Sequence, residues 1–238
     1  DLTKFNLDKY SYDYLPPDGD WERDGRAIGR NEHIKDLYFG YYLGTVVSRD
    51  KLAAFCAGLT CNKSIERVTV CCGGLYSWEI FTMLTPFFEQ NCNLGYLRLG
   101  RFSVPNVRLL SDLLSRFNTL REFECNGGGI CDSDVEMLIL ALAGHSELGK
   151  IDLGGKKLQE RGINALAVLL TNPNSSLADL DLANCFDDEQ AAIFADTLGN
   201  SKLKKLGLRS NRSIAAIGWS AIFTHLQSPH SVLENLDL

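Results

Sequence analysis

The sequence predicts an α/β repeat solenoid, curved so that a parallel β-sheet lines the concave face and α-helices the convex one. Two observations lead there. A six-residue frame of apolar, two free, apolar, one free, apolar positions occurs nine times, its starts 32, 31, 29, 26, 28, 29, 26 and 30 residues apart. Most frames are followed by small or turn-forming residues and then by apolar residues at helical spacing. A strand then a helix, always in the same direction, gives parallel strands joined by right-handed crossovers. Strands sit about 4.8 Å apart and packed helices roughly 8–10 Å apart, so the stack bends with its strands inside. Nine strands make an inner wall of roughly 40 Å, which suits a folded protein rather than a small metabolite.

In order, the frames are Leu2/Phe5/Leu7, Ile34/Leu37/Phe39, Ile65/Val68/Val70, Leu94/Leu97/Leu99, Leu120/Phe123/Cys125, Leu148/Ile151/Leu153, Leu177/Leu180/Leu182, Leu203/Leu206/Leu208 and Leu233/Leu236/Leu238. Each is too short for a helix, and its last two apolar positions are two apart, the strand period. Between the first and second frames, Tyr10, Tyr12 and Tyr14 lead to Pro16-Pro17-Asp18-Gly19-Asp20 and Trp21. The Pro-Gly cluster predicts a turn, and Asp20 a cap on a helix from Trp21 to about Gly29. The tyrosines either cover the edge of the first repeat or form a docking strip.

After the third frame Ile80, Met83, Leu84 and Phe87 make an inward helical face, leaving Trp78, Phe81 and Phe88 over. After the fifth, Val135, Leu138, Ile139 and Leu142 leave Met137 and Leu140 over. These surplus residues are expected against neighbouring repeats; with Trp219 they are also candidates for a convex protein contact. After the sixth frame Leu158, Gly162, Ile163, Leu166, Ala167 and Leu170 fall at helical spacings, and Asn172-Pro173-Asn174-Ser175-Ser176 stops the helix. No linker interrupts the phase, so residues 1–238 read as one domain of about eight repeats, 1–33 an aromatic-rich first repeat and 34–238 the regular ones. Both ends fall at a frame without a polar cap, which predicts part of a longer array.

The run from Leu148 to Leu170 resembles the long leucine-rich repeat of the ribonuclease-inhibitor type, in which LxxLxL is followed by Asn or Cys, another Leu, then Gly-xxx-Leu-xxx-Leu. At the turn after each frame the family's Asn or Cys is matched by Cys185 and Asn211, whereas Tyr10, Tyr42, Gly73, Phe102, Gly128 and Lys156 stand there in other repeats. Individually adjusted turns are expected at those six. The resemblance implies a protein-binding horseshoe without naming its ligand. The GTPase-activating proteins of the Ran system also resemble this repeat type and act through a switch protein's own machinery, so that activity is the alternative function. A structural subunit of a large assembly is a third.

The chain is 45% hydrophobic and 23% charged, with a formal charge of −6. Its 24 basic residues are dispersed among 30 acidic ones, which argues against nucleic acid. No apolar run approaches a membrane span, and residues 1–30 carry too many charges for a secretory signal. The eight cysteines include no pair of CxxC units, and the adjacent Cys71 and Cys72 chelate poorly. They read as free structural thiols, which favours an intracellular, cytoplasmic location. Against this stand three sequons, at Asn62, Asn174 and Asn211, the last of which also fits its turn.

His33, His145, His225 and His230 sit in unrelated settings without a nucleophile motif. Gly127-Gly128-Gly129 and Gly154-Gly155-Lys156-Lys157 follow strand frames and read as tight turns; in the second, Gly155 stands where a phosphate loop needs Lys. The expectation is therefore a non-catalytic scaffold with no cofactor and no metal.

Binding is expected at the free third and fifth places of each frame, whose side chains face the concavity. The partner-binding candidates are Tyr38, Arg67, Tyr96, Arg98, Glu122, Glu124, Lys150, Asp152, Asp179, Asp181, Lys205 and Arg209. Five carboxylates between Glu122 and Asp181 against Lys150 predict an acidic centre for a basic protein partner, with Tyr38 and Tyr96 as aromatic anchors. Arg67, Arg98 and Arg101 lie to its N-terminal side, Lys205 and Arg209 to its C-terminal side. Neighbouring strands could equally neutralise one another, in pairs worth a few tenths of a kcal/mol.

Overall fold

The computed structural model describes residues 3–7, 18–40, 47–71, 76–91, 93–100, 106–127, 129–199, 201–229 and 231–238. Leu2, Tyr10, Tyr12, Tyr14, Pro16, Pro17, Tyr42, Cys72, Gly73, Cys92, Arg101, Phe102, Gly128 and His230 fall outside them. Among the described residues each strand begins at the third place of a frame: β1 Lys4–Leu7, β2 Asp36–Phe39, β3 Arg67–Val70, β4 Tyr96–Leu99, β5 Glu122–Cys125, β6 Lys150–Asp152, β7 Asp179–Asp181, β8 Lys205–Gly207 and β9 Asn235–Asp237. Between them run α1 Trp21–Gly29, α2 Arg49–Gly58, α3 Tyr76–Met83, α4 Thr85–Gln90, α5 Val107–Leu114, α6 Asp132–Leu142, α7 Glu160–Thr171, α8 Asp188–Leu198 and α9 Ala216–Leu226. The strand-and-helix repeat read from the sequence is thus the fold.

The chain forms two compact units, Asp1–Ser103 with Arg116–Leu120, and Val104–Ser115 with Arg121–Leu238. In the first, β1 to β4 pair in parallel and in sequence order, with Phe5, Leu37, Val68 and Leu97 in register. The central apolar residues Leu37, Val68 and Leu97 are almost fully buried. Beneath them Phe55 of α2 meets the rings of Phe5, Trp21 and Phe39 at 5.8, 5.9 and 6.4 Å. Asp20 caps α1 as expected, its carboxylate accepting from the Arg23 amide at 3.0 Å.

Helices α1 and α2 cross at glycine. A Cβ on Gly25 would lie 2.3 Å from the Phe55 carbonyl oxygen, and one on Gly29 2.1 Å from that of Gly58. No side chain fits there without moving backbone.

The helical segment after β3 breaks at Leu84, with Pro86 opening α4. Ile80, Leu84 and Phe87 are buried as expected and Met83 is half-buried; the break changes the helical phase so that Phe81 and Phe88 are core residues too, and Phe88 packs against Phe117 of the next repeat at 6.0 Å. Trp78 is half-buried and stacked on Phe81.

In the second unit β5 to β9 pair in parallel, with Phe123, Ile151, Leu180, Leu206 and Leu236 in register. Here two pairs of helices, α6 with α7 and α8 with α9, are joined by carboxylates. Asp132 of α6 accepts from the amides of Gln159, Arg161 and Gly162 at 2.9, 2.9 and 3.0 Å, filling the donors at the N-terminus of α7. Asp188 of α8 does the same for α9, through Ala215 and Gly218 at 2.8 and 2.7 Å. The glycine of the repeat pattern follows from this: a Cβ on Gly162 or Gly218 would stand 2.8 Å from the capping oxygen. Leu140, one of the surplus residues of α6, stays 49% exposed, while Met137 is half-buried.

Candidate functional site: the open faces of the sheet

Strand alternation sends the fourth and sixth places of each frame into the core and leaves the third and fifth on the open face. In the first unit these places hold Lys4, Asn6, Asp36, Tyr38, Arg67, Thr69, Tyr96 and Arg98. They surround a groove of about 310 Å3 with Phe5 and Leu37 in its wall. Tyr38 and Arg98 are half-buried, but Tyr96 is only 8% exposed. Its ring is covered by Arg67, whose guanidinium carbon lies 4.0 Å from the ring centroid.

In the second unit the same places hold Glu122, Glu124, Lys150, Asp152, Asp179, Asp181, Lys205, Gly207, Asn235 and Asp237. Lys150 and Asp179 to Asp237 line a groove of about 280 Å3. Cross-strand neutralisation is real but partial. Lys150 Nζ donates to Glu124 at 2.7 Å; that hydrogen bond holds the ammonium above the usual lysine range, against the opposing effect of burial. Lys205 stands 3.9 Å from Asp179, and Arg209 pairs with Asp237.

Asp152 and Asp181 face each other in register. Burial first, and the charges of Asp181 and Glu124 after it, push the Asp152 carboxyl up, while hydrogen bonds from Gly154 and Asn126 oppose the shift. Both residues also close their own strands: Gly154 donates its amide to Asp152 at 2.8 Å, and Ala183 to Asp181 at 2.9 Å. They serve the backbone as well as the surface.

Turns beyond the strands keep one task with different residues. Asn211 donates to the Leu182 and Leu208 carbonyls at 2.9 and 2.8 Å and accepts from the Cys185 and Phe186 amides. Cys185 Sγ donates to the Leu153 carbonyl at 3.4 Å. Lys156, 1% exposed, sends its ammonium to the Gly127 carbonyl. Each donor reaches back to the preceding turn. Burial pushes the Cys185 thiol up to about 12 and raises Cys125 as well, which leaves both as protonated packing groups. Cys56 is likewise buried, whereas Cys61 and Cys131 are exposed.

A second polar ladder was missed in the sequence. Asn31, Asn62 and Asn91 each stand three residues before a frame, and that spacing was the available signal. Asn62 donates to the Ile28 and Asn31 carbonyls at 2.8 and 2.9 Å and accepts from the Ser64 and Ile65 amides. Asn91 donates to Ile65 at 2.8 Å. His145 holds the same place before Leu148; burial lowers it, and the Leu114 carbonyl opposes that shift. The sequon amides of Asn62 and Asn211 are thus committed inside the fold, whereas Asn174 is exposed.

Among the described residues no three or more His, Cys, Asp or Glu side chains gather as metal ligands would. No described helix is long and apolar enough to cross a membrane.

No family model matches the sequence. The chain is 26% identical, over 253 aligned residues spanning all of it, to the "NACHT, LRR and PYD domains-containing protein 9B" of Mus musculus. It is 29% identical over 116 residues, 48% of its length, to the "NACHT, LRR and PYD domains-containing protein 9" of Bos taurus. These matches span only 24% and 11% of the two relatives. Among solved structures, the leucine-rich repeat-containing protein LegL7 of Legionella pneumophila superposes with a TM-score of 0.47 at 12% identity, covering 98% of this chain and 89% of that one.

Proposed function

We infer that this chain, a leucine-rich-repeat protein with the fold of an interaction scaffold, binds a protein partner through the open face of its sheet and performs no chemistry itself. Its repeats correspond to the LRR in the names of the mouse and cattle relatives. The observation that most supports the reading is the second unit's face. There six carboxylates, Glu122, Glu124, Asp152, Asp179, Asp181 and Asp237, share the strand positions with two lysines, Lys150 and Lys205. A basic segment of the partner relieves that imbalance, and the excess charge steers its approach. The setting we assign is intracellular, with the chain acting inside a larger complex.

Capture with the purified protein as bait, read by mass spectrometry, tests the proposal when repeated with a Glu122→Lys/Asp179→Lys variant. Neither side chain serves the backbone in the way Asp152 and Asp181 do. Loss of the captured partner is expected, with stability within about 0.5 kcal/mol of the parent. Equal capture by both proteins removes the acidic face from the binding site. Hydrolysis by small GTPases is expected to be unchanged by the protein; acceleration would favour the Ran-regulator alternative.

A further inference from the structure

We propose that the sheet face of the first unit receives a carboxylate, the Glu or Asp side chain of an extended segment of a protein partner, with the Arg67 guanidinium as its anchor. The inference rests on the scaffold reading and gives the partner a second chemical feature. The first unit's strand positions hold Lys4, Arg67 and Arg98 against one carboxylate, Asp36. Its face is therefore opposite in sign to the second unit's.

Arg67 is held from two sides. Its guanidinium carbon lies over the Tyr96 ring, 4.0 Å from the centroid, and its Nε lies 3.0 Å from Asp36 Oδ1. That oxygen is buried and accepts no aligned hydrogen bond, so the contact is an ion pair without direction. Among the described residues the two Nη groups have no hydrogen-bond partner, and the side chain is 48% exposed. A rigid planar fork with both outer donors open matches the two oxygens of a carboxylate. Because stacking already fixes the rotamer, little side-chain freedom is lost on binding. Phe5 and Tyr38 line the same groove, giving the methylene stem and flanking residues of the segment an apolar wall. A phosphate fits less well: its second negative charge would meet Asp36, while the carboxylate carries only one.

The experiment selects from a displayed library of random dodecapeptides on the whole protein. The best binder of each class is then synthesised for anisotropy measurements, beside a copy with its acid changed to the amide. Binders with an acidic residue next to an apolar one are expected, losing about tenfold in affinity with the amide copy. On Arg67→Gln that difference disappears; on Arg67→Lys it shrinks, because the charge stays but the fork is lost. Arg108→Gln, on the exposed side of α5, leaves it intact. An amide penalty of the same size on Arg67→Gln overturns the proposal, as does a requirement for phosphoserine. If only Lys-rich binders emerge and Asp179→Lys abolishes them, the anchor is wrong and the scaffold reading stands. If nothing is selected, both fall.

Discussion

In the first unit α1 and α2 meet backbone to backbone through Gly25, Gly29 and Gly58, while in the second α6 is tied to α7, and α8 to α9, by the carboxylates of Asp132 and Asp188. The same repeat therefore closes its helical layer by contact in one region and by hydrogen bonding in the other. Polar ladders run along the described residues of both units. In the first, Asn31 and Asn62 satisfy the turns that lead into β2 and β3; in the second, Lys156, Cys185 and Asn211 satisfy turns beyond the strands, and Ser176 donates to the Ser146 carbonyl ahead of β7.

The largest expected effect is at the glycine crossing. Gly25→Val must displace backbone and is expected to cost about 3 kcal/mol or more. Hydrogen exchange is the measurement: protection should fall first in 18–40 and 47–71, and equal loss across 121–238 would show that the two units do not open separately. Next come the asparagines. Asn62→Ala and Asn211→Ala each strand several buried backbone groups and are expected to cost about 3 kcal/mol, read from chemical denaturation. A cost below about 1 kcal/mol at either would remove its ladder from the comparison.

Asp132→Ala is smaller, about 1–2 kcal/mol, because exposed amides at the start of α7 can turn to water. Its fingerprint is faster exchange at Arg161 and Gly162, and an unchanged rate there would break the assigned link between helices.

The smallest effect is Asp152→Asn. A carboxyl whose folded value is raised stabilises fully below its unfolded value near 3.8 and loses that stabilisation as pH rises through the folded value. The ionised form thus weakens the fold at neutral pH. The variant, which keeps an acceptor for Gly154, is expected to melt at the same temperature or slightly higher at pH 7 and to match the parent near pH 3. A lower melting temperature at pH 7 would show that the charge itself supports the fold.

The strands and their sidedness were legible because apolar spacing records burial directly: every frame placed its third residue at the start of a strand. The cap at Asp20 and the stop after Thr171 were legible for the same local reason. Helical faces read less well after β3, since the break at Leu84 shifts the phase that a single helix would keep. Which residues stand on the open face followed from strand alternation, but their exposure and contacts did not. Tyr96 reads as an aromatic anchor until Arg67 is seen lying over it, and Asp152 and Asp181 read as pure surface until Gly154 and Ala183 are seen donating to them. Such contacts join residues on different strands or across a two-residue turn, where the period carries no information. The turn ladder was obscured by residue type: a lysine, a thiol and an amide all donate to carbonyls, so a pattern requiring Asn or Cys passes over Lys156.

That buried lysine also makes the second unit a clock for its own opening. Lys156 has its ammonium shielded from solvent and engaged by a carbonyl, whereas Lys157 next to it is exposed. An acylating reagent should mark Lys157 at once and Lys156 only during excursions that lift the turn. The lag between neighbouring amines, followed by peptide mass mapping, would time those excursions with no residue replaced.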